Sequence, residues 1–115
     1  MTCSVSKYGA KKSQCLHGHT HDSIKEAKRC NELHVLERAR LITDLEVQPQ
    51  FWFVINGQQV THDNGRRVGF RPDFRYKEGL LRDTVEDVKG FKTADYTLRK
   101  AIFKALFPDI NFVES

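Results

Sequence analysis

Residues 71–90 read RPDFRYKEGLLRDTVEDVKG, two strand-forming runs joined by a turn at residues 77–79. The turn predicts that the chain doubles back as an antiparallel hairpin, which brings Asp73 on one strand close to Asp87 on the other. Because side chains alternate between the faces of a strand, Asp87 and Lys89 are expected to share one face. One acid from each strand can hold a hard cation such as Mg²⁺, with the ammonium group of Lys89 beside an attacking water. This combination of groups is suited to the hydrolysis of phosphate esters.

The length and composition of the chain limit its class. Its 115 residues suffice for one hydrophobic core, and its contents of 39% hydrophobic and 30% charged residues are ordinary for a folded cytosolic protein. We expect residues 1–12 to form a basic arm and residues 13–115 a single domain. No apolar run approaches the roughly 20 residues of a membrane helix, and the arm lacks the apolar core of a secretory signal. The sequence therefore predicts a cytoplasmic protein with no membrane partner.

The basic residues predict a polyanionic partner. The net charge is +4, and the basic residues cluster on both sides of the two strand-forming runs, which indicates a nucleic-acid groove. For any one of them, solvated surface is the simpler explanation; Lys92, however, precedes a helix N-terminus, which favours anions. The candidates for contacts with DNA are Lys7, Lys11, Lys12, Arg71, Arg75, Lys92, Arg99 and Lys100.

Hydrophobic periodicity predicts two main helices and several strands. The helices are expected at residues 23–40 and 94–106, where apolar side chains recur at helical spacing. Between them lie strong strand formers and the hairpin dipeptide Asn56-Gly57, and a final strand is expected at residues 110–113. This order predicts an α/β (α+β) fold with a mixed central β-sheet flanked by the two helices.

Five segments, taken with this order of elements, carry a family resemblance. They are Lys7-Tyr8-Gly9-Ala10-Lys11, Asp22-Ser23 with Glu26-Ala27, Gln48-Pro49, Asp73-Phe74 and Glu86-Asp87-Val88-Lys89-Gly90. The chain resembles the PD-(D/E)xK nuclease superfamily, and more narrowly a family of small phage and prophage proteins long catalogued only as a domain of unknown function. The resemblance covers nearly the whole chain and implies a restriction-endonuclease-like core.

The resemblance also implies a role for each residue of a metal site. Asp73, Asp87 and Glu26 would bind Mg²⁺, for which Mn²⁺ would substitute, and the carbonyl of Val88 would be a further ligand. Lys89 would orient or deprotonate the attacking water and offset developing negative charge. Asp73, Asp87, Lys89 and Glu26 are thus the candidate catalytic residues.

Each acid also has a purely structural explanation. Asp73 and Asp87 could be strand-end acids paired with Arg71 or Arg75, although aspartate is disfavoured inside strands. The two functional roles are favoured because Asp is predicted in two adjacent strands with a lysine nearby.

Three further residues leave alternatives open. Glu26 stands three residues after Ser23, which is the spacing of a capping box and would explain it without a metal. Glu86 should point away from Asp87 and either stabilise the fold or hold the metal ligands in position. If the strand register is shifted by one residue, Glu86 takes the place of Asp87. Gln48 could contact the metal water or a phosphate, or could simply be a polar residue at a strand end.

A cluster of cysteine and histidine residues offers a rival site. Alternate spacing puts Cys15, His17, His19 and His21 on one face of an extended segment, as a Zn²⁺ site would need. The usual paired spacing is absent, however, and Cys30 belongs to the apolar stripe of its helix. A polar hairpin over residues 14–20 is therefore favoured over structural zinc.

The sequence thus favours a Mg²⁺-dependent endodeoxyribonuclease. By analogy with small resolvases of the superfamily, we expect a homodimer that selects branched or junction DNA in phage recombination or processing, encoded by a phage or prophage and located in the host cytoplasm. The alternative is a catalytically silent DNA-binding accessory protein with the same fold. A small zinc-stabilised interaction domain is a third hypothesis.

Overall fold

The computed structural model describes residues 24–88 and 92–115 in full, and residues 3–5, 11–14 and 20–21 as backbone strands. The strands are β1 (Cys3–Val5), β2 (Lys11–Gln14), β3 (Thr20–His21), β4 (Ile42–Val47), β5 (Phe51–Trp52), β6 (Val54–Ile55), β7 (Gln58–Gln59), β8 (Gly69–Phe70), β9 (Phe74–Glu78), β10 (Arg82–Asp87) and β11 (Asn111–Glu114). The helices are α1 (Ile24–Arg38) and α2 (Ala94–Leu106).

The central sheet is mixed. Its strand order is β11-β10-β9-β4, with β10 parallel to β11 and antiparallel to β9, and with β9 antiparallel to β4. Together with the two helices, this confirms the predicted α+β class. Among the described residues, neither helix combines the length and apolar character needed to cross a membrane.

The N-terminal strands form a separate small sheet. β1 pairs with β2, and β2 pairs antiparallel with β3 so that Gln14 lies opposite Thr20. This pairing agrees with the hairpin expected over residues 14–20, although its turn lies outside the described residues. The division of the chain at residue 12 stays a prediction.

The hairpin of β9 and β10 has the predicted antiparallel pairing but a later turn. Lys77 and Glu78 still pair with β10, so the turn predicted at residues 77–79 is placed two residues too early. The observed turn occupies residues 79–81, where Gly79 takes a φ of 67°. β8 and β9 are separate strands, interrupted at Pro72, which has no N–H to donate to a ladder. Asp73 and Asp87 therefore lie at strand ends and not in strand interiors.

Both faces of the central sheet are covered. On one face α1 packs through Ala27, Cys30 and Leu33 against Phe74, Tyr76 and Val88. On the other face α2 packs through Phe103 against Phe51, Phe53, Phe70 and Val85. Because of this double cover, Glu86 and Asp87 are both buried at the end of β10 although they point to opposite faces.

The ends of the helices follow from local chemistry. Thr93 caps α2 through its Oγ1, which accepts a hydrogen bond of 3.0 Å from the N–H of Tyr96. α1 ends at Arg38, two residues before the predicted end, because Arg40 takes a φ of 63° that a helix cannot contain.

The strands β6 and β7 form the hairpin predicted at Asn56-Gly57. The φ angles of Asn56 and Gly57 are 53° and 76°, which is the requirement of a type I′ turn. A second turn follows at residues 62–65, and an isolated bridge between Thr61 and Arg67 joins the residues on its two sides. We call residues 53–68, which contain these two turns, the hairpin arm; Phe53 is buried in the core, and Val60 and Val68 pack against that core.

Candidate active site

Three buried carboxyl groups meet at one end of the central sheet. Glu26, in the first turn of α1, is 3% exposed; Asp73, just before β9, is 6% exposed; and Asp87, the last residue of β10, is fully buried. Hydrogen bonding links Asp73 to both of the other carboxyl groups. We refer to Glu26, Asp73 and Asp87 as the carboxylate cluster. The structure thus brings together the three acids that the sequence suggested.

The register of the hairpin explains how the two aspartates meet. Glu86 lies opposite Phe74, so the next position along each strand places Asp87 beside Asp73 on the same face. Two main-chain hydrogen bonds hold Asp73 there. The N–H of Val88 donates to its Oδ2 at 2.7 Å, and the N–H of Gln48 donates to its carbonyl oxygen at 2.8 Å.

Gln48 connects the carboxylate cluster to a positive charge. Its backbone has a φ of 54°, which is uncommon for a residue other than glycine. Its Nε2 donates to Oε2 of Glu26 at 3.5 Å, the long end of hydrogen-bond distance. Its Oε1 accepts a 2.6 Å hydrogen bond from Nη2 of the exposed Arg71. Gln48 is therefore more than a polar strand-end residue: it orients Arg71 towards the cluster.

The surroundings of Asp73 favour its neutral form. Burial raises the pKa of Asp73 to about 6; hydrogen bonding to Asp87 opposes this rise, and the negative charge of Glu26 adds to it. The N–H of Val88 also lowers this pKa, but less than burial raises it. Ionised Asp73 is therefore costly for the protein when no cation is bound to the cluster.

This shift predicts how stability depends on pH. Because the folded pKa lies above the ordinary value of 3.8, the stabilising contribution of Asp73 is complete below that value and is lost as the pH rises through about 6. In EDTA, Asp73→Asn should therefore remove part of the loss of unfolding free energy between about pH 5 and about pH 8. Asparagine can still accept the hydrogen bond of Val88.

Urea unfolding of both proteins at the two pH values checks this expectation, with the exposed Asp109→Asn as the matched control. Added Mg²⁺ should stabilise the wild type at the higher pH and have less effect on Asp73→Asn. An identical pH dependence for the wild type and Asp73→Asn would contradict the proposed cost of ionising Asp73.

Glu86 faces α1 and is fully engaged there. Its carboxylate accepts hydrogen bonds from Arg29 at 2.6 and 3.0 Å, from the hydroxyl of Tyr76 at 2.8 Å and from the hydroxyl of Ser115 at 3.0 Å. It is only 1% exposed. Glu86 is thus a structural anchor between α1, the sheet and the C-terminus, on the face opposite Asp87 as expected.

Among the described residues, Arg71 and Arg75 have partners other than the two aspartates with which a purely structural explanation would pair them. Arg75 makes a bidentate ion pair with Asp83 at 2.7 and 3.2 Å, and its guanidinium lies 5.1 Å from the centre of the Phe51 ring. Arg71 instead reaches Gln48. Of these two candidates for contacts with DNA, Arg71 is the exposed one beside the carboxylate cluster.

Two of the basic candidates lie near Glu114, which is opposite Asp87 in the β10–β11 register. Lys92 and Lys100 approach its carboxylate at 3.3 and 3.1 Å, and the hydroxyl of Tyr96 donates to it at 2.8 Å. Burial, Glu114 and the charge of Asp87 all raise the pKa of Tyr96. Tyr96 therefore borders the carboxylate cluster. The sequence analysis did not identify Tyr96 as a site residue, although its place in the first turn of α2, after the Thr93 cap, was a signal for it.

Several candidates fall outside the described part of the chain. They are Lys89, Lys7, the side chains of Lys11 and Lys12, the capping-box residue Ser23, and Cys15, His17, His19 and the side chain of His21. Their roles stay predictions, as does the capping role of Glu26. Cys30 is buried in the core, as its apolar stripe predicted, and its Sγ lies 3.6 Å from Nδ1 of His34. Within residues 24–88 and 92–115, no three acids, histidines or cysteines are already arranged to hold a metal ion.

Comparison with known proteins locates the chain in one family. A family model described as "Protein of unknown function (DUF1064)" matches residues 5–114, a range that contains the whole carboxylate cluster. No curated protein and no solved structure matches the chain.

Proposed function

The chain belongs to the family of proteins of unknown function DUF1064, and we propose that it is a Mg²⁺-dependent endodeoxyribonuclease of the PD-(D/E)xK type. The observation that carries this proposal is the meeting of three buried carboxyl groups from α1 and from the ends of two adjacent strands. Buried acids are rarely placed together without a cation, because each raises the cost of ionising its neighbours. A divalent metal offsets that cost.

The chemistry of the cluster fits such a metal. All of the side-chain donors are carboxylate oxygens, which suit Mg²⁺ or Mn²⁺ and not a metal that prefers thiolates. Glu26, Asp73 and Asp87 would hold the ion, with the carbonyl of Val88 as a further ligand. When bound, the ion would polarise the phosphate and make a water molecule a better nucleophile.

The basic residues around the cluster have complementary tasks. Lys89 follows Asp87 by two positions, and its ammonium group would orient the attacking water and offset the charge that develops on the phosphate. Arg71, oriented by Gln48, would bind a phosphate of the same DNA backbone. Lys92 and Lys100, which share Glu114, would contribute a positive border on the other side of Asp87.

Other parts of the proposal come from the resemblance described above. The arrangement of Glu26 on a helix and of Asp73 and Asp87 at adjacent strand ends supports a restriction-endonuclease-like core. We extend the proposal to a homodimer that acts on branched or junction DNA during phage recombination or processing in a bacterial cytoplasm.

One assay tests the central proposal. Purified protein is incubated with duplex, single-stranded and four-way-junction DNA in the presence of Mg²⁺, Mn²⁺ or EDTA. We expect cleavage with either metal and none with EDTA, and we expect the protein to stay folded in EDTA, because the metal is not part of the folding core. Asp87→Asn protein, purified in parallel, controls for contaminating nucleases.

Measurements of DNA binding and of zinc content on the same protein address the alternatives. Binding of DNA without cleavage under every cation would support the catalytically silent accessory protein. One tightly held zinc ion per chain, together with a large loss of stability on chelation, would support the zinc site among Cys15, His17, His19 and His21.

A further inference from the structure

A positively charged pocket lies between the hairpin arm and α2. It has a volume of about 630 Å³. Its lining residues are His62, Asp63, Asn64, Arg66, Arg67 and Arg99. We call this feature the arginine pocket. We propose that it binds a phosphate of the DNA backbone that leads away from the carboxylate cluster; this inference rests on the proposed function.

Two of the three guanidinium groups are held in place by the protein. Arg99 pairs with Asp95 at 2.9 Å and donates to the carbonyl oxygen of Gly69 at 2.7 Å. The guanidinium of Arg67 lies 4.7 Å from the centre of the Trp52 ring. Groups held in this way lose less conformational entropy when they bind a ligand, and the planar guanidinium matches the geometry of a phosphate.

The third guanidinium belongs to Arg66, in a turn that hydrogen bonds hold together. The N–H of His62 donates to the carbonyl of Arg66 at 2.8 Å, and the N–H of Arg66 donates to Oδ1 of Asn64 at 2.9 Å. Gly65 closes the turn with a φ of 87°, a backbone conformation that residues other than glycine rarely adopt. The turn thus presents the exposed Arg66 from a backbone already fixed by hydrogen bonds.

The charge balance of the pocket favours an anion. Three arginines face two carboxylates, Asp63 in the pocket and Asp95 beside it. Within residues 24–88 and 92–115, Arg66 and Arg67 make no ion pair with an acid. Their charges therefore face solvent, where a phosphate can reach them.

The position of the pocket links it to the carboxylate cluster. Arg99 follows Tyr96, the neighbour of Asp87, by three residues, which is about one turn of helix and about 5 Å along α2. Gly69, whose carbonyl binds Arg99, precedes Asp73 by only four residues. A single DNA backbone that passes the cluster can therefore continue along α2 into the arginine pocket. A phosphodiester chain can contact both sites at once, whereas a small anion cannot, so this arrangement favours the chain.

A binding measurement separates this pocket from the catalytic proposal. The anisotropy of a short fluorescein-labelled duplex is followed in EDTA, so that no cleavage occurs, at several salt concentrations. For Arg66→Ala/Arg67→Ala we expect affinity roughly ten-fold weaker, and a slope of log affinity against log salt smaller by about 1–2, one unit for each lost phosphate contact. The matched control is Arg38→Ala/Arg82→Ala, which removes the same charge from exposed positions outside the pocket.

The outcomes distinguish failure of the arginine pocket from failure of the nuclease proposal. A double variant that matches the control in affinity and slope, while the wild type binds and cleaves DNA, would overturn the arginine pocket and leave the nuclease proposal intact. Weaker binding only in the pocket variant, with no cleavage by the wild type, would support the pocket and overturn the nuclease. If loss of the Arg67–Trp52 contact unfolds the double variant, Arg66→Gln replaces it, with an expected slope change of about 1 against Arg82→Gln. Wild-type protein that binds no DNA would overturn both.

Discussion

Asp87→Asn is expected to abolish DNA cleavage while leaving the protein folded, with a loss of rate of at least about 10²–10³-fold. Asparagine has nearly the shape of aspartate, so it should fill the same buried position, but its neutral amide oxygen binds Mg²⁺ more weakly than a carboxylate does. Asp73→Asn should have a similar effect, and Lys89→Ala should remove the charge that stabilises the transition state. Cleavage rates under single-turnover conditions and circular dichroism of each variant check this expectation.

The adjacent acid provides the sharpest control for that experiment. Glu86→Gln alters a carboxylate that is equally buried but points to α1 and its partners Arg29 and Tyr76. It should lower stability and, at a temperature where the protein is folded, leave cleavage largely intact. An active Asp87→Asn variant with an inactive Glu86→Gln variant would show that the functional carboxylate lies one position earlier on the strand.

Arg29→Ala is expected to cost about 3 kcal/mol of unfolding free energy, because it leaves the carboxylate of Glu86 buried without its cationic partner. The side chain of Arg29 is 28% exposed, whereas that of Glu86 is 1% exposed, so the cost arises mainly at Glu86. Chemical denaturation measures the loss. Arg38→Ala, at an exposed position on the same helix, is the matched control and should change stability by no more than about 0.5 kcal/mol.

The ion pair also predicts sensitivity to acid. Burial opposes ionisation of Glu86, but the hydrogen bonds from Arg29 and Tyr76 and the charge of Arg29 outweigh it, so the pKa of Glu86 is lowered from 4.5. Its contribution to stability is therefore present above pH 4.5 and is lost as the pH falls through the lowered pKa. Arg29→Ala should lose less stability than the wild type in that acid range. Equal stability of Arg29→Ala and the wild type near neutral pH would contradict the structural role of Glu86.

The opposite roles of Glu86 and Asp87 have a single physical cause. β10 is covered on both faces, and alternation along the strand points one acid towards Arg29 and the other towards the carboxylate cluster. On one face the negative charge is balanced by a guanidinium. On the other face it lies beside Asp73, whose pKa is raised to about 6. The paired charge of Glu86 stabilises the fold, whereas the burial of Asp73 beside Glu26 makes its ionisation costly.

Local patterns in the sequence predicted both helices, the Asn56-Gly57 turn and the proximity of Asp73 and Asp87, whereas Glu26 was suggested by the family resemblance. Asn56-Gly57 specified its turn because both residues accept positive φ, Thr93 specified the start of α2 by capping it, and strand alternation placed Glu86 opposite in direction to Asp87. These features depend on neighbours within a few residues. Local rules of conformation therefore suffice to predict them.

Only the tertiary structure decided which charges pair and which remain available. Arg75 pairs with Asp83, and Gln48 hydrogen-bonds Arg71 and so holds it near Glu26. Tyr96 interacts with both Asp87 and Glu114. The arginine pocket likewise requires a turn of the hairpin arm to meet Arg99 on α2. Such contacts join residues that are distant in sequence, and their partners are selected by the packing of whole elements and by burial, neither of which any local pattern contains.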